Sequence, residues 1–142
     1  MALDQLDALQ REWEALHRDH ESYERFALVI KLTAVVLSLA CLAYGVDSVL
    51  VILFILALWL QDGIWKTFQA RLGARILSVE KMMRAPAGEA GAPFQLYTVW
   101  ESSKNGAVGL IKEYLLNALR PTVAYPYVVL VAMVFLFGVS AE

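Results

Sequence analysis

Two residues of opposite charge sit in or beside stretches that are otherwise apolar. Lys31 lies within the run Phe26–Tyr44, and Asp62 lies just past the run Val49–Leu60. Only Gly45-Val46-Asp47-Ser48 separates the two runs. So short a break makes the two helices antiparallel neighbours. Its midpoint falls between Val46 and Asp47, so Lys31 and Asp62 stand at equal depth. Facing charges in an apolar setting can form an interhelical ion pair or serve an ion or proton path. They can also act separately, with Lys31 reaching the lipid headgroups along its methylene stem and Asp62 pairing with Lys66 one turn on.

The other chemistry-bearing residues are sparse. His17 and His20 are the only histidines. Glu14-Ala15-Leu16-His17 has the spacing of half a di-iron carboxylate site, but such a site needs a second Glu-x-x-His half that one chain lacks. With Glu21 and Glu24 it reads as a solvated, charged helix face. Thr98, Ser102 and Ser103 have no histidine close in sequence to act as base. Gly106-x-x-Gly109 follows no strand and is not a phosphate loop. Phe94, Tyr97 and Trp100 share one face of a short predicted helix, able to clasp a lipid or quinone ring or to pack on the hairpin. Cys41 is the only cysteine, which excludes an intrachain disulfide and a thiolate metal cluster. No catalytic, cofactor or metal site is expected, and the chain reads as non-enzymatic.

The elements that hold these residues are helical and apolar. Of 142 residues, 59% are hydrophobic and 18% charged, which is richer in apolar and poorer in charged groups than soluble domains. The net charge of −2 comes with no basic stripe, which argues against nucleic-acid binding. Residues 1–25 carry seven acidic and three basic side chains and no apolar stretch, so the first apolar run is expected to be its own uncleaved insertion signal. Leu6, Leu9, Trp13, Leu16, His20, Tyr23, Ala27, Ile30, Ala34, Leu37, Cys41 and Tyr44 follow at alternating steps of three and four. That seam predicts one unbroken helix, half of it beyond the bilayer. Trp65, Phe68, Leu72, Ile76, Val79 and Met83 predict the returning arm. Ala27, Ala34, Ser38, Cys41 and Gly45 form a small-residue stripe that permits close helix packing.

The expected fold is an all-α integral membrane protein with three transmembrane helices and an interfacial amphipathic helix. Residues 1–84 make a long antiparallel hairpin, with spans at 26–44 and 46–65. Its arms, 4–25 and 66–84, extend into the cytoplasm as a coiled coil. Trp59 and Trp65 fit an aromatic belt. A flexible linker follows at 85–93. Amphipathic helices over 94–120 place Val108, Ile111, Leu115 and Leu119 opposite Glu113, Asn117 and Arg120, either lying at the inner leaflet or packing on the hairpin. The third span, 121–142, should kink at Pro126, with Tyr125 and Tyr127 at the interface.

Lys66, Arg71, Arg75, Lys81 and Arg84 face one acid, Glu80, in segment 63–84. The positive-inside rule therefore puts the N-terminus in the cytoplasm and the C-terminus outside. A prokaryotic cytoplasmic membrane is expected. Membrane lipids and further copies of the chain are the expected partners. The leading functional expectation is a homo-oligomer around a pore or a lipid-filled centre. The competing one is an accessory subunit that clamps a larger membrane complex. A charged helix that enters a two-span hairpin and leaves through Gln69-Ala70-Arg71-Leu72 to Glu80 resembles, in layout and over about half the chain, the two-span effector domains of bacterial defence systems.

Overall fold

The computed structural model describes residues 2–86, 91–102 and 106–138. Its helices are α1 (Ala2–Ala43), α2 (Ser48–Arg84), α3 (Leu96–Ser102), α4 (Gly106–Ala118) and α5 (Pro121–Gly138). Residues 139–142 of the expected third span, 87–90 of the expected linker, and Ser103, Lys104 and Asn105 lie outside the described residues.

Neither Gly nor Pro interrupts residues 2–43, so nothing stops α1 until Gly45. There the backbone turns left-handed, at φ +65°. The Val46 N–H reaches the Cys41 carbonyl at 3.0 Å and the Gly45 N–H reaches Leu42 at 3.2 Å. This is the hydrogen-bonding pattern that closes a helix on a glycine. Asp47 starts α2 by accepting from the Leu50 N–H at 3.1 Å. Lys81 and Arg84 lie in the last turn of α2, where they complement the helix dipole.

The result is a helical hairpin of two long apolar helices packed against each other. Each is long and apolar enough to cross a membrane, and α4 with α5 passes the same test only as a pair bent by 71°. That bend falls between Ala118 and Pro121. Pro126 lies inside α5, which continues through it.

Two apolar clusters form the core. Near the tip of the hairpin, Ala34 of α1 and Val51 and Ile55 of α2 pack on Tyr127, Leu130 and Val134 of α5. In the arms, Leu9 and Leu16 pack on Leu72 and Val79. The seam read from sequence is followed loosely. Leu6, Leu37 and Tyr44 are exposed, while Glu12 and Ser38, each one residue off the seam, are buried. A nearly straight helix with 3.6 residues per turn drifts off a strict seven-residue repeat over five heptads, so the buried face slides by one position.

Helix α4 is amphipathic in the inverse sense. Asn117 is 6% exposed and packs inward, whereas Val108 is 81% exposed, with Ile111, Leu115 and Leu119 also facing out. The helix meets α2 so closely at its end that a Cβ on Gly63 would sit 2.6 Å from the Ala118 Cβ. At Gly73 the same added carbon would lie 3.7 Å from His20 Nε2, an ordinary contact. Gly63→Ala should therefore lower stability by about 1–3 kcal/mol through overpacking. Gly73→Ala should raise it by about 0.5–1 kcal/mol through helix propensity. Denaturation of the detergent-solubilised chain measures both, and a Gly63→Ala protein as stable as the parent would contradict this packing.

Candidate functional site

Asp62 is the most completely enclosed charged residue of the tip half, at 0% exposure. Its Oδ2 lies 3.4 Å from Lys31 Nζ of α1, and Tyr127 of α5 donates its hydroxyl to the same oxygen at 3.3 Å. Oδ1 has no hydrogen-bond partner among the described residues. Three helices thus converge on one carboxylate. Lys31 remains 26% exposed at its side chain, so its stem crosses the packing layer while part of it reaches the surface. Lys66 forms no ion pair with Asp62 among the described contacts and donates to Gln69 at 2.6 Å. The arrangement ties α1, α2 and α5 together at one buried carboxylate.

Tyr127 belongs to this site rather than to an interface, because it is wholly buried while Tyr125 is exposed. Two residues on a helix are about 200° apart, so only one of the pair can face outward. Trp59 is likewise not a free belt residue. Its ring stacks on Tyr127 with centroids 6.1 Å apart, and its Nε1–H donates to the Ala118 carbonyl at 2.8 Å, satisfying the C-terminal end of α4. Trp65 sits against Tyr23 and Phe26.

The small-residue stripe is used within the chain. Ala27, Ala34 and Ser38 are buried, and Cys41 is half-buried beside Val51 and Ile55. The Ser38 hydroxyl donates to the Ala34 carbonyl at 2.6 Å. Gly45 does not pack as part of the stripe: it is exposed at the turn, where its positive φ caps α1.

One turn along α2 from Asp62, a second polar layer begins. Asn117 donates to Thr67 Oγ1 at 2.9 Å, Thr67 donates to the Gly63 carbonyl at 3.0 Å, and Arg71 reaches Glu113 at 2.8 Å. Deeper in the arms, Arg75 forms a bidentate pair with Glu12 at 2.8 and 3.2 Å. Both side chains are nearly solvent-free, at 3% and 4% exposure. Glu12 also accepts from the Phe94 N–H at 2.7 Å, which holds Phe94 in the left-handed region at φ 58°. Trp13 donates to Glu80 at 3.1 Å.

Sequence reasoning did not single out the Glu12–Arg75 pair, yet both residues carry a readable signal. Glu12 stands three after Leu9 and four before Leu16, and Arg75 stands three after Leu72 and four before Val79. Opposite charges therefore occupy packing positions in both arms.

The remaining candidates do not gather into a site. His17 stacks on Trp13 and lies 3.4 Å from Glu21, and no group of three or more metal-ligating side chains forms among the described residues. Phe94 precedes α3 instead of sharing its face, Tyr97 is exposed, and Trp100 lies 5.0 Å beneath the Arg71 guanidinium. Ser102 donates to Val99 within its own helix. Comparison of the chain with protein-family models, with curated proteins and with solved structures finds no match.

Removing one partner from a buried ion pair costs about 3–5 kcal/mol. Lys31→Asp should therefore destabilise strongly by setting two carboxylates together, and Lys31→Asp with Asp62→Lys should recover most of the loss. Denaturation midpoints in detergent test this. Equal damage from the single and double changes would discard the pair.

Proposed function

We propose that this chain is a non-enzymatic, multi-pass protein of a prokaryotic cytoplasmic membrane that self-associates through its spans. In this reading α1 and α2 cross the bilayer near their shared turn and continue into the cytoplasm as a coiled coil, and α5 is the third span. The observation that carries it is the apolar outer surface of the tip half. Phe26, Leu32, Val36, Leu53, Phe54 and Val129 face outward while Ser38, Asp62 and Tyr127 face inward. Water would penalise that distribution, whereas hydrocarbon favours it.

Three further features support the reading. The basic residues of 63–84 lie on the arms, as the positive-inside rule requires of a cytoplasmic side. With α5 along the bilayer normal, the 71° bend lays α4 about 19° from the membrane plane (90 minus 71), with its apolar face free to meet lipid. Three spans also give each other few neighbours, which leaves broad apolar faces for lipid or a second copy.

A water-filled centre is not favoured. Among the described residues of the tip half, the outward polar side chains are Thr33, Gln61 and Thr122, with Tyr44 and Asp47 at the turn and Tyr125 on α5, and these make no continuous stripe for water to wet. The assembly is therefore proposed to have a closed or lipid-filled centre.

A second reading, an accessory subunit of a larger membrane complex, is favoured by the arms. The Glu12–Arg75 pair stiffens them, while Arg11, Glu14, Arg18, Asp19 and Glu21 stay exposed as a charged docking face.

Subunit counting in nanodiscs should find one defined oligomer, and liposomes carrying it should retain their ions. Monomers at every lipid ratio would end the self-association reading. Sustained ion release would contradict the lipid-filled centre.

A further inference from the structure

Charge is sorted unevenly along the hairpin. The chain carries −2 overall, and residues 1–23 hold six acids against two bases. Beside the Lys31–Asp62 layer the sign reverses. We propose that this layer binds the anionic headgroups of phospholipids, so that the chain gathers lipids such as phosphatidylglycerol around itself. The inference rests on the membrane reading above and names the lipid class that reading leaves open.

Lys31 and Asp62 neutralise each other, as do Arg71 and Glu113. Four other cations stand close by, and none of them makes an ion pair among the described residues. Arg25 comes six residues before Lys31, and Lys66 four residues after Asp62. Along the helix axes that is about 9 Å and about 6 Å from the pair, both on the arm side. Lys112 lies on α4 and Arg120 just past its end, and α4 meets α2 at Gly63, Thr67 and Arg71. Arg25, Lys112 and Arg120 are exposed, while Lys66 is half-buried and donates to Gln69. Against these four stands Glu24, exposed on α1.

The neighbours of these cations identify the partner. On α4, Lys112 follows Ile111 and is flanked by Val108, Leu115 and Leu116, all exposed. Arg120 follows exposed Leu119, and Arg25 precedes exposed Phe26. A helix that borders an outward apolar face with Lys or Arg is suited to the headgroup layer, its apolar side among acyl chains and its charges at the phosphates. An acidic protein surface would answer the charges and leave the apolar neighbours uncovered. An anionic phospholipid supplies a phosphate and acyl chains together, so it meets both demands.

The test reconstitutes the full chain in phosphatidylcholine vesicles with trace amounts of phosphatidylglycerol or phosphatidylcholine spin-labelled on an acyl chain. Electron paramagnetic resonance reads the fraction of each probe slowed at the protein surface. Phosphatidylglycerol should be enriched there at least about threefold over phosphatidylcholine. Lys112→Gln with Arg120→Gln should remove about half of that enrichment or more. Arg11→Gln with Arg18→Gln takes as many charges from exposed positions on the arms and should leave it unchanged. Because all four positions are exposed, circular dichroism should show both variants as helical as the parent. Equal slowing of the two probes by the parent overturns the proposal, as does an equal loss from the two variants. Should neither probe be slowed, the membrane reading falls with it, which sets that failure apart from a failure of lipid choice alone.

Discussion

Asp62 is withdrawn from solvent between α1, α2 and α5, and a carboxylate in that position has to be met from more than one helix. Lys31 meets it from α1 and Tyr127 from α5, both on the same oxygen. That junction fixes which residues of α1 and α2 lie opposite each other, and it seats the first third of α5 against the hairpin. The next layer follows from it. Trp59 stacks on Tyr127 while donating to the end of α4, Gly63 lets α4 approach, and Thr67 and Arg71 receive its polar edge. The path from one buried charge to the placement of α1, α5 and α4 runs through side chains spaced about one turn apart on α2.

Along this path several polar groups are turned inward beside the apolar cluster of Val51, Ile55, Leu130 and Val134, while many large apolar groups face outward. The arrangement repeats on α4, where Glu113 and Asn117 bind α2 while Val108, Ile111, Leu115 and Leu119 face away. A soluble helix would reverse these faces. The arms behave differently. There Leu9, Leu16, Leu72 and Val79 form an apolar core with charged residues outside, and Glu12, Thr67, Gln69 and Arg75 are buried beside it. Both halves have an apolar core, and what changes close to the Lys31–Asp62 layer is the outer surface, apolar on the tip side and charged on the arm side. This is the physical basis for proposing that lipid surrounds one half and water the other.

Much of this was legible from sequence, because it depends on chain connectivity and on long uninterrupted patterns. A four-residue break between two apolar runs dictates a hairpin, and its midpoint places Lys31 opposite Asp62. The same midpoint places Trp13 opposite Glu80, which are hydrogen-bonded. What was not legible depends on rotation about the helix axis. A single position of drift brings Glu12 and Ser38 into the core and turns Leu6 and Leu37 out. Tyr127 and Tyr125 look equivalent as interfacial tyrosines until α5 is docked. The inward side of α4 could not be chosen from its amphipathic pattern, since that pattern does not say whether water or hydrocarbon lies outside. Gly45 reads as a small packing residue, but its left-handed backbone makes it a helix cap.

The central claim is that the outward faces of the tip half meet hydrocarbon while the arms meet water. Spin labels placed singly at Leu32, Leu53 and Val129, and at Glu14 and Asp19, in liposome-reconstituted protein with Cys41 replaced by Ser, test it most directly. Collision with oxygen should dominate at the first three sites, and collision with a water-soluble nickel chelate should dominate at the last two. Equal access of the chelate to all five sites would contradict the account.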